Sequence, residues 1–305
     1  MTLSPRLIVL MTLPPLLWAG NAVVGRLAVG HVAPQSLNAW RWALTLLILL
    51  PLGWRALSTP AARAAVWQRR AHLAALGFFG VAAFNALQYL ALTTTTALNA
   101  TLIAASGPLW MMLIGWAGFR EAPRRSQWIG SALSLLGVLV VVGRGDWRVL
   151  AEVRFVIGDL QMLLAVCLWA LYSWLLARPP ASMRAPQRPA WDWAQFLLLQ
   201  VLFGVGWALL AAGAEQAAAP QPIVWSPWVV LLLLYVAVGP SVIAFRCWGI
   251  GVVQAGPTMA AFFSNLSPLF AAALSTLLVG EVPHLYHGVA FALVLAGIVV
   301  SSRAS

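Results

Sequence analysis

The chain has 305 residues but no lysine, seven acidic residues and two cysteines. Charged residues make up 8% of it, against roughly 25% in an ordinary soluble domain, so too few are present to solvate a globular surface. The longest polar connections, 55–70 and 178–192, are too short to fold as separate domains. Cys167 and Cys247 fall inside apolar stretches, where they read as small buried hydrophobes and make no disulfide or zinc framework. The acids are also badly placed for chemistry. A membrane-embedded lipid or prenyl transferase needs a cluster of acids around a metal, or a nucleophile with a paired base, and neither occurs within the apolar stretches. That enzyme is the rival from another class.

Hydrophobic residues form 62% of the chain. A helix that crosses a bilayer needs ~20 of them in succession. Ten such stretches are read near 7–28, 36–56, 71–92, 98–119 and 127–143, then 158–177, 193–212, 228–250, 258–279 and 286–302. The expected fold class is an all-α membrane protein of ten transmembrane helices in two five-helix repeats, residues 1–150 and 151–305. The net charge of +11 is due to arginine alone. The arginines sit between apolar stretches at 55–70, 120–125, 178–188 and 303, as cytoplasmic loops do, and few lie in the alternate connections. This pattern puts both termini in the cytoplasm and argues against a nucleic-acid partner, which would require a solvated basic face.

Duplication is written in the rarer residues. Pro108, Glu121, Pro123 and Gly137 return 160 positions later as Pro268, Glu281, Pro283 and Gly297. Leu17-Trp18-Ala19 likewise returns as Leu168-Trp169-Ala170, so the first apolar stretch belongs to the repeat and is read as a retained helix, not a cleaved signal. Five helices is an odd number, so the second copy enters the membrane in the opposite sense, as in carriers built from inverted repeats. Gly130, Ser134 and Gly137 share one helical face, matched by Ala290, Val294 and Gly297. These small-residue faces suit close helix packing or a homodimer formed through the fifth helix of each half. Trp40, Trp42, Trp54 and Trp67 lie near span ends, where indoles anchor at headgroups, whereas Trp18, Trp110, Trp116, Trp169, Trp174, Trp207 and Trp248 lie deeper.

The leading Leu17-Trp18-Ala19-Gly20-Asn21, Arg41 at the start of the second helix, the two Pro…Glu-x-Pro units and Gly158-Asp159-Leu160 ahead of Leu168-Trp169-Ala170-Leu171-Tyr172 resemble the drug/metabolite transporter superfamily. Specifically, they resemble its EamA-type branch of ten-helix carriers. Within that branch the chain is most similar to the YddG-type exporters of aromatic and other neutral amino acids in the bacterial inner membrane. The resemblance implies a central cavity lined by the first, third and fourth helices of each half, with the fifth helices at the periphery. The second copy departs from the first where Leu285-Tyr286-His287 replaces Arg125-Ser126-Gln127.

A carrier of zwitterions has to replace the hydration of a carboxylate and an ammonium. Polar or aromatic groups within the spans are therefore the candidate substrate ligands: Trp18, Asn21, Asn85, Gln88, Tyr89 and Asn99 in the first half, and Trp169, Tyr172, Arg246 and Asn265 in the second. Each has a plainer reading as an interhelical hydrogen bond. Arg246 stands out as a cation inside a span, either meeting a substrate carboxylate or snorkelling to the surface, and Gly239-Pro240 before it is expected to kink the helix. Glu121, Glu281 and Asp159 sit at helix ends, where capping is a simpler role than proton relay. His284 and His287 lack the companions of a zinc site. No cofactor and no metal are expected. The function read from the sequence is export of neutral and aromatic amino acids by alternating access around a midplane cavity, with another small metabolite or a drug as the alternative cargo.

Overall fold

The computed structural model describes residues 3–28, 30–151, 153–279 and 284–303, and each of the ten apolar stretches is helical within it. In chain order the helices are α1 (Pro5–Leu27), α2 (Pro34–Gly53), α3 (Arg70–Ala91), α4 (Ala97–Ala105 with Gly107–Phe119), α5 (Arg125–Val142), α6 (Ile157–Ala177), α7 (Trp193–Ala218), α8 (Pro227–Ala255), α9 (Pro257–Ser264 with Ser267–Val279) and α10 (Leu285–Ser302). Among the described residues seven of these, α3 and α5 to α10, are long and apolar enough to cross a membrane; α2 and α4, each counted with its bend, bring the number to nine. α1, 23 residues long and containing Pro14 and Pro15, completes the bundle. Glu281 and Pro283 of the second repeat unit lie outside the described residues.

Local chemistry sets the helix starts. Pro34, Pro227 and Pro257 occupy first turns, where the missing N–H costs nothing. Asp192 accepts from the Gln195 backbone N–H while the Gln195 side chain accepts from the Asp192 N–H, a reciprocal cap that opens α7. Thr96 does the same work alone at α4.

Two irregularities recur at the same spacing as the sequence repeat. Gly77–Ala83 in α3 and Ala237–Ile243 in α8 are wound as π-helix, 160 residues apart. In α8 the cause is Pro240, which cannot donate to the Val236 carbonyl; the Ser241 hydroxyl donates to it instead at 2.8 Å. In α3, which has no proline, the Asn85 amide donates to the Val81 carbonyl at 3.2 Å. The second irregularity is a break. α4 bends by 43° at Ser106, and α9 has its turn at Asn265 and Leu266, each just before the proline of the repeat unit, Pro108 or Pro268. The duplicated proline is thus the residue that splits each fourth helix in two. The breaks meet: the Asn265 amide donates to the Ala105 carbonyl freed at the other break (3.2 Å) and to Ser134 on α5 (2.8 Å).

The halves interlock through their first helices, α1 packing on α8 and α9 and α6 on α3 and α4. α2 lies along α7, and α5 along α10. Gly130 and Gly297 face one another so closely that a Cβ on either would sit 2.6 or 2.7 Å from the other's carbonyl oxygen. The small-residue faces are therefore used within the chain, which corrects the expectation of a homodimer through them. Trp42 is a second correction: it is fully buried, edge-on to Phe245 at 5.1 Å, and not at a headgroup surface.

Candidate functional site

A cavity of about 350 Å³ opens between the halves. Its walls come from α1, α3, α4, α6, α8 and α9, with Arg41 of α2 also lining it and the exposed Leu92 at its mouth. These positions place it between mid-bundle and the end that carries the 92–96 and 143–156 connections, the end opposite the chain termini. α5 and α10 do not reach it.

Seven of the ten candidate ligands line this cavity. Trp18 and Asn21 on α1, Asn85, Gln88 and Tyr89 on α3, Trp169 on α6 and Asn265 at the α9 break all contribute to its wall. Asn85 and Tyr89 share a face because they are one helical turn apart. The other three lie elsewhere. Asn99 donates to both carboxylate oxygens of Asp159 and to the Arg154 carbonyl. Thr95 and the Val156 N–H also donate to Asp159, a buried knot that ties the start of α6 to the α3–α4 turn. Tyr172 is buried behind the cavity with its hydroxyl donating to Gln200 at 2.9 Å. Arg246 is exposed, its guanidinium 4.2 Å from the centroid of the Trp193 ring, which is the snorkelling arrangement.

An aromatic box forms one wall. Trp18 stands edge-on to Trp169 at 5.4 Å and tilts against Trp248 at 5.4 Å, and Trp169 meets Trp248 at 5.3 Å and Phe84 at 5.1 Å. Hydrogen bonds hold it in place: the Trp18 indole donates to the Pro240 carbonyl and the Trp248 indole to Ser173. Of the other deep tryptophans, Trp116 and Trp207 face outward and Trp174 is buried below the box. There Trp174 stacks on Phe119 at 5.2 Å and donates to the Met111 carbonyl, closing the bundle towards the termini. Beyond this layer Arg178 of the second half pairs with Glu121 of the first, so Glu121 is an interhalf ion-pair partner and not the helix cap expected of it. At the opposite end His287 Nδ1 accepts from the His284 N–H, a turn-closing bond.

Arg41 is the cavity residue that sequence reasoning passed over. It is 2% exposed. Its Nε donates to Ser241 at 2.6 Å, one Nη to Asn85 at 3.0 Å and the other to the Pro240 carbonyl at 3.4 Å. Its signal was depth: with Arg246 it is one of two arginines well inside the ten expected spans.

An all-helical bundle with two interlocked halves, a closed layer at one end and a mixed aromatic and polar cavity at mid-depth defines a membrane transporter. The EamA-like transporter family model matches the chain twice, over residues 6–143 and 156–303, and the chain belongs to that family. It is similar to an uncharacterized transporter of Archaeoglobus fulgidus, 27% identical over 96% of both chains. It is also similar to the uncharacterized transporter YyaM of Bacillus subtilis, 22% identical over 92% of this chain and 88% of that one. A crystal structure 21% identical to the chain matches 97% of it, and 96% of its own length, with a TM-score of 0.73, a likeness of fold. Membership of a transporter family sets aside the membrane-embedded enzyme.

Proposed function

We propose that this transporter exports neutral and aromatic amino acids across the bacterial inner membrane by alternating access, with both termini in the cytoplasm and residues 1–150 and 151–305 as its two moving units. The observation that carries the reading is the cavity wall: an indole box beside neutral amides and hydroxyls, with none of the described acids among its lining residues. Clustered indoles suit flat or apolar side chains, and the lack of acids disfavours a purely cationic drug. The closed layer at Trp174 and Phe119 fits one end state of a carrier, the other requiring the Arg178–Glu121 pair to part. No described acid sits at mid-span beside the cavity to relay protons, which favours movement down the substrate gradient. The test is counterflow into liposomes with the purified protein and a panel of labelled Phe, Trp, Thr and Met, with and without a pH gradient. Uptake of unmodified label is expected in both conditions, and a panel in which no amino acid moves refutes the proposal.

A further inference from the structure

Arg41 is a buried guanidinium without an ionic partner among the described residues. Each of the five described acids is engaged elsewhere: Glu121 with Arg178, Asp159 with Thr95, Asn99 and Val156, Glu215 with the backbone N–H groups that open α2, Asp192 with Gln195, and Asp146 with Arg148. What surrounds Arg41 is neutral. Ser241, Asn85 and the Pro240 carbonyl each take one of its five N–H groups. These contacts orient the planar fork without cancelling its charge. A cation held at membrane depth by neutral dipoles is stabilised when an anion joins it, and a guanidinium matches a carboxylate in two parallel hydrogen bonds.

The surroundings point the same way. The Pro240 carbonyl that accepts from Arg41 also accepts from the Trp18 indole, so the cation and the aromatic box are fixed to a common atom. Asn21 follows Trp18 by three residues on the wall of the same cavity, and its amide oxygen is buried with no hydrogen-bond partner. An unsatisfied acceptor of this kind is complementary to an ammonium.

We infer that Arg41 is a carboxylate subsite: the transported molecule is an organic carboxylate whose anionic group docks on the Arg41 guanidinium, with its side chain in the Trp18–Trp169–Trp248 box and an α-ammonium, where present, on Asn21. The inference deepens the amino-acid reading and rests on the same cavity. It makes carboxylate recognition the property of one residue, and it explains why a membrane-buried arginine has its charge left free.

The experiment compares four small molecules that share one ring: L-phenylalanine, L-phenylalaninamide, phenethylamine and 3-phenylpropionate. Each is titrated against the purified full chain in detergent and read by the midpoint of thermal unfolding. The acid is expected to bind at least about tenfold more tightly than its amide, and 3-phenylpropionate more tightly than phenethylamine. Arg41→Gln is expected to abolish that discrimination, and Arg41→Lys to keep part of it. Because the analogue series is run on the unaltered chain, the test stands even if Arg41→Gln does not fold. Equal binding of acid and amide, or no stabilisation by either carboxylate, overturns the inference. The two readings fail separately. Counterflow of phenylalanine and its amide at equal rates sustains amino-acid transport while removing the subsite, whereas a preference for 3-phenylpropionate with no movement of amino acids keeps the subsite and removes the amino-acid reading.

Discussion

Arg41 and Arg246 share a side chain and both lie inside expected spans, yet one is held at the cavity wall by hydroxyl, amide and carbonyl groups while the other reaches out over Trp193. The difference is azimuth, which hydropathy does not carry. The same distinction separates the asparagines. Asn99 donates to Asp159 and Arg154, so Asn99→Ala leaves a buried carboxylate short of donors and is expected to cost about 1–3 kcal/mol, with KM for transport unchanged. Asn21 has an orphaned buried oxygen, so Asn21→Ala removes an unsatisfied group and leaves the unfolding midpoint where it was or higher, while raising KM several-fold. Unfolding and counterflow measured on both variants check the contrast; a matching loss of stability in Asn21→Ala would show that its oxygen is satisfied within the protein.

At the scale of elements, the tightest packing lies along α5 and α10. A Cβ at Gly297 would fall 2.7 Å from the Gly130 carbonyl oxygen and 3.0 Å from Ser134, atoms that cannot swing aside. Gly297→Val is expected to destabilise the protein by about 1–3 kcal/mol. Gly288→Val, on the same helix with open space around its Cα, is expected to be neutral, and paired thermal unfolding curves decide it. Element positions were largely legible in the sequence: 71–92 became Arg70–Ala91, and 98–119 became Ala97–Phe119, because a run of ~20 apolar residues has one stable conformation in lipid. The end of α7 was not, since the more polar stretch after 212, which includes Glu215 and Gln216, continues the helix to Ala218, and Glu215 reaches across to cap α2. The kink at Gly239-Pro240 was readable from proline chemistry. Its counterpart at Gly77–Ala83 was not, because there the π-winding accompanies the contact of Gly77 with the α7 backbone, a tertiary cause with no local signal. The candidate site divides in the same way. Asn85 and Tyr89, one turn apart on α3, both line the cavity as their spacing implies, but Tyr172 and Asn99 face partners on other helices that no single-helix pattern reveals.

For the molecule as a whole, the arrangement of open and closed ends and the arrangement of charge make a joint prediction. The exposed Ser58 lies at the end with the termini, in the connection that carries Arg55, Arg63 and Arg69, and the exposed Gln221 lies in the α7–α8 connection at the opposite end. In a background with Cys167 and Cys247 replaced, a cysteine at Ser58 is expected to label with an impermeant maleimide only from the cytoplasmic side, and one at Gln221 only from outside. Labelling of both from one side refutes the topology. A third cysteine at Ala271, on the cavity wall, then reports on the carrier cycle. With the Trp174–Phe119 layer closed and Arg178 paired to Glu121, Ala271→Cys should react from the Gln221 side, and bound substrate should slow that reaction. Glu121→Gln removes the charge attraction across the closed end. The pair is exposed on both sides, so its loss should change stability little. Its effect is instead expected on the balance of states: with one interhalf tie gone from the terminal end, the outward-reactive fraction of Ala271→Cys should fall and cytoplasmic reactivity should rise by a few-fold. Unchanged reactivity from both sides in Glu121→Gln would mean that the aromatic layer alone holds that end shut.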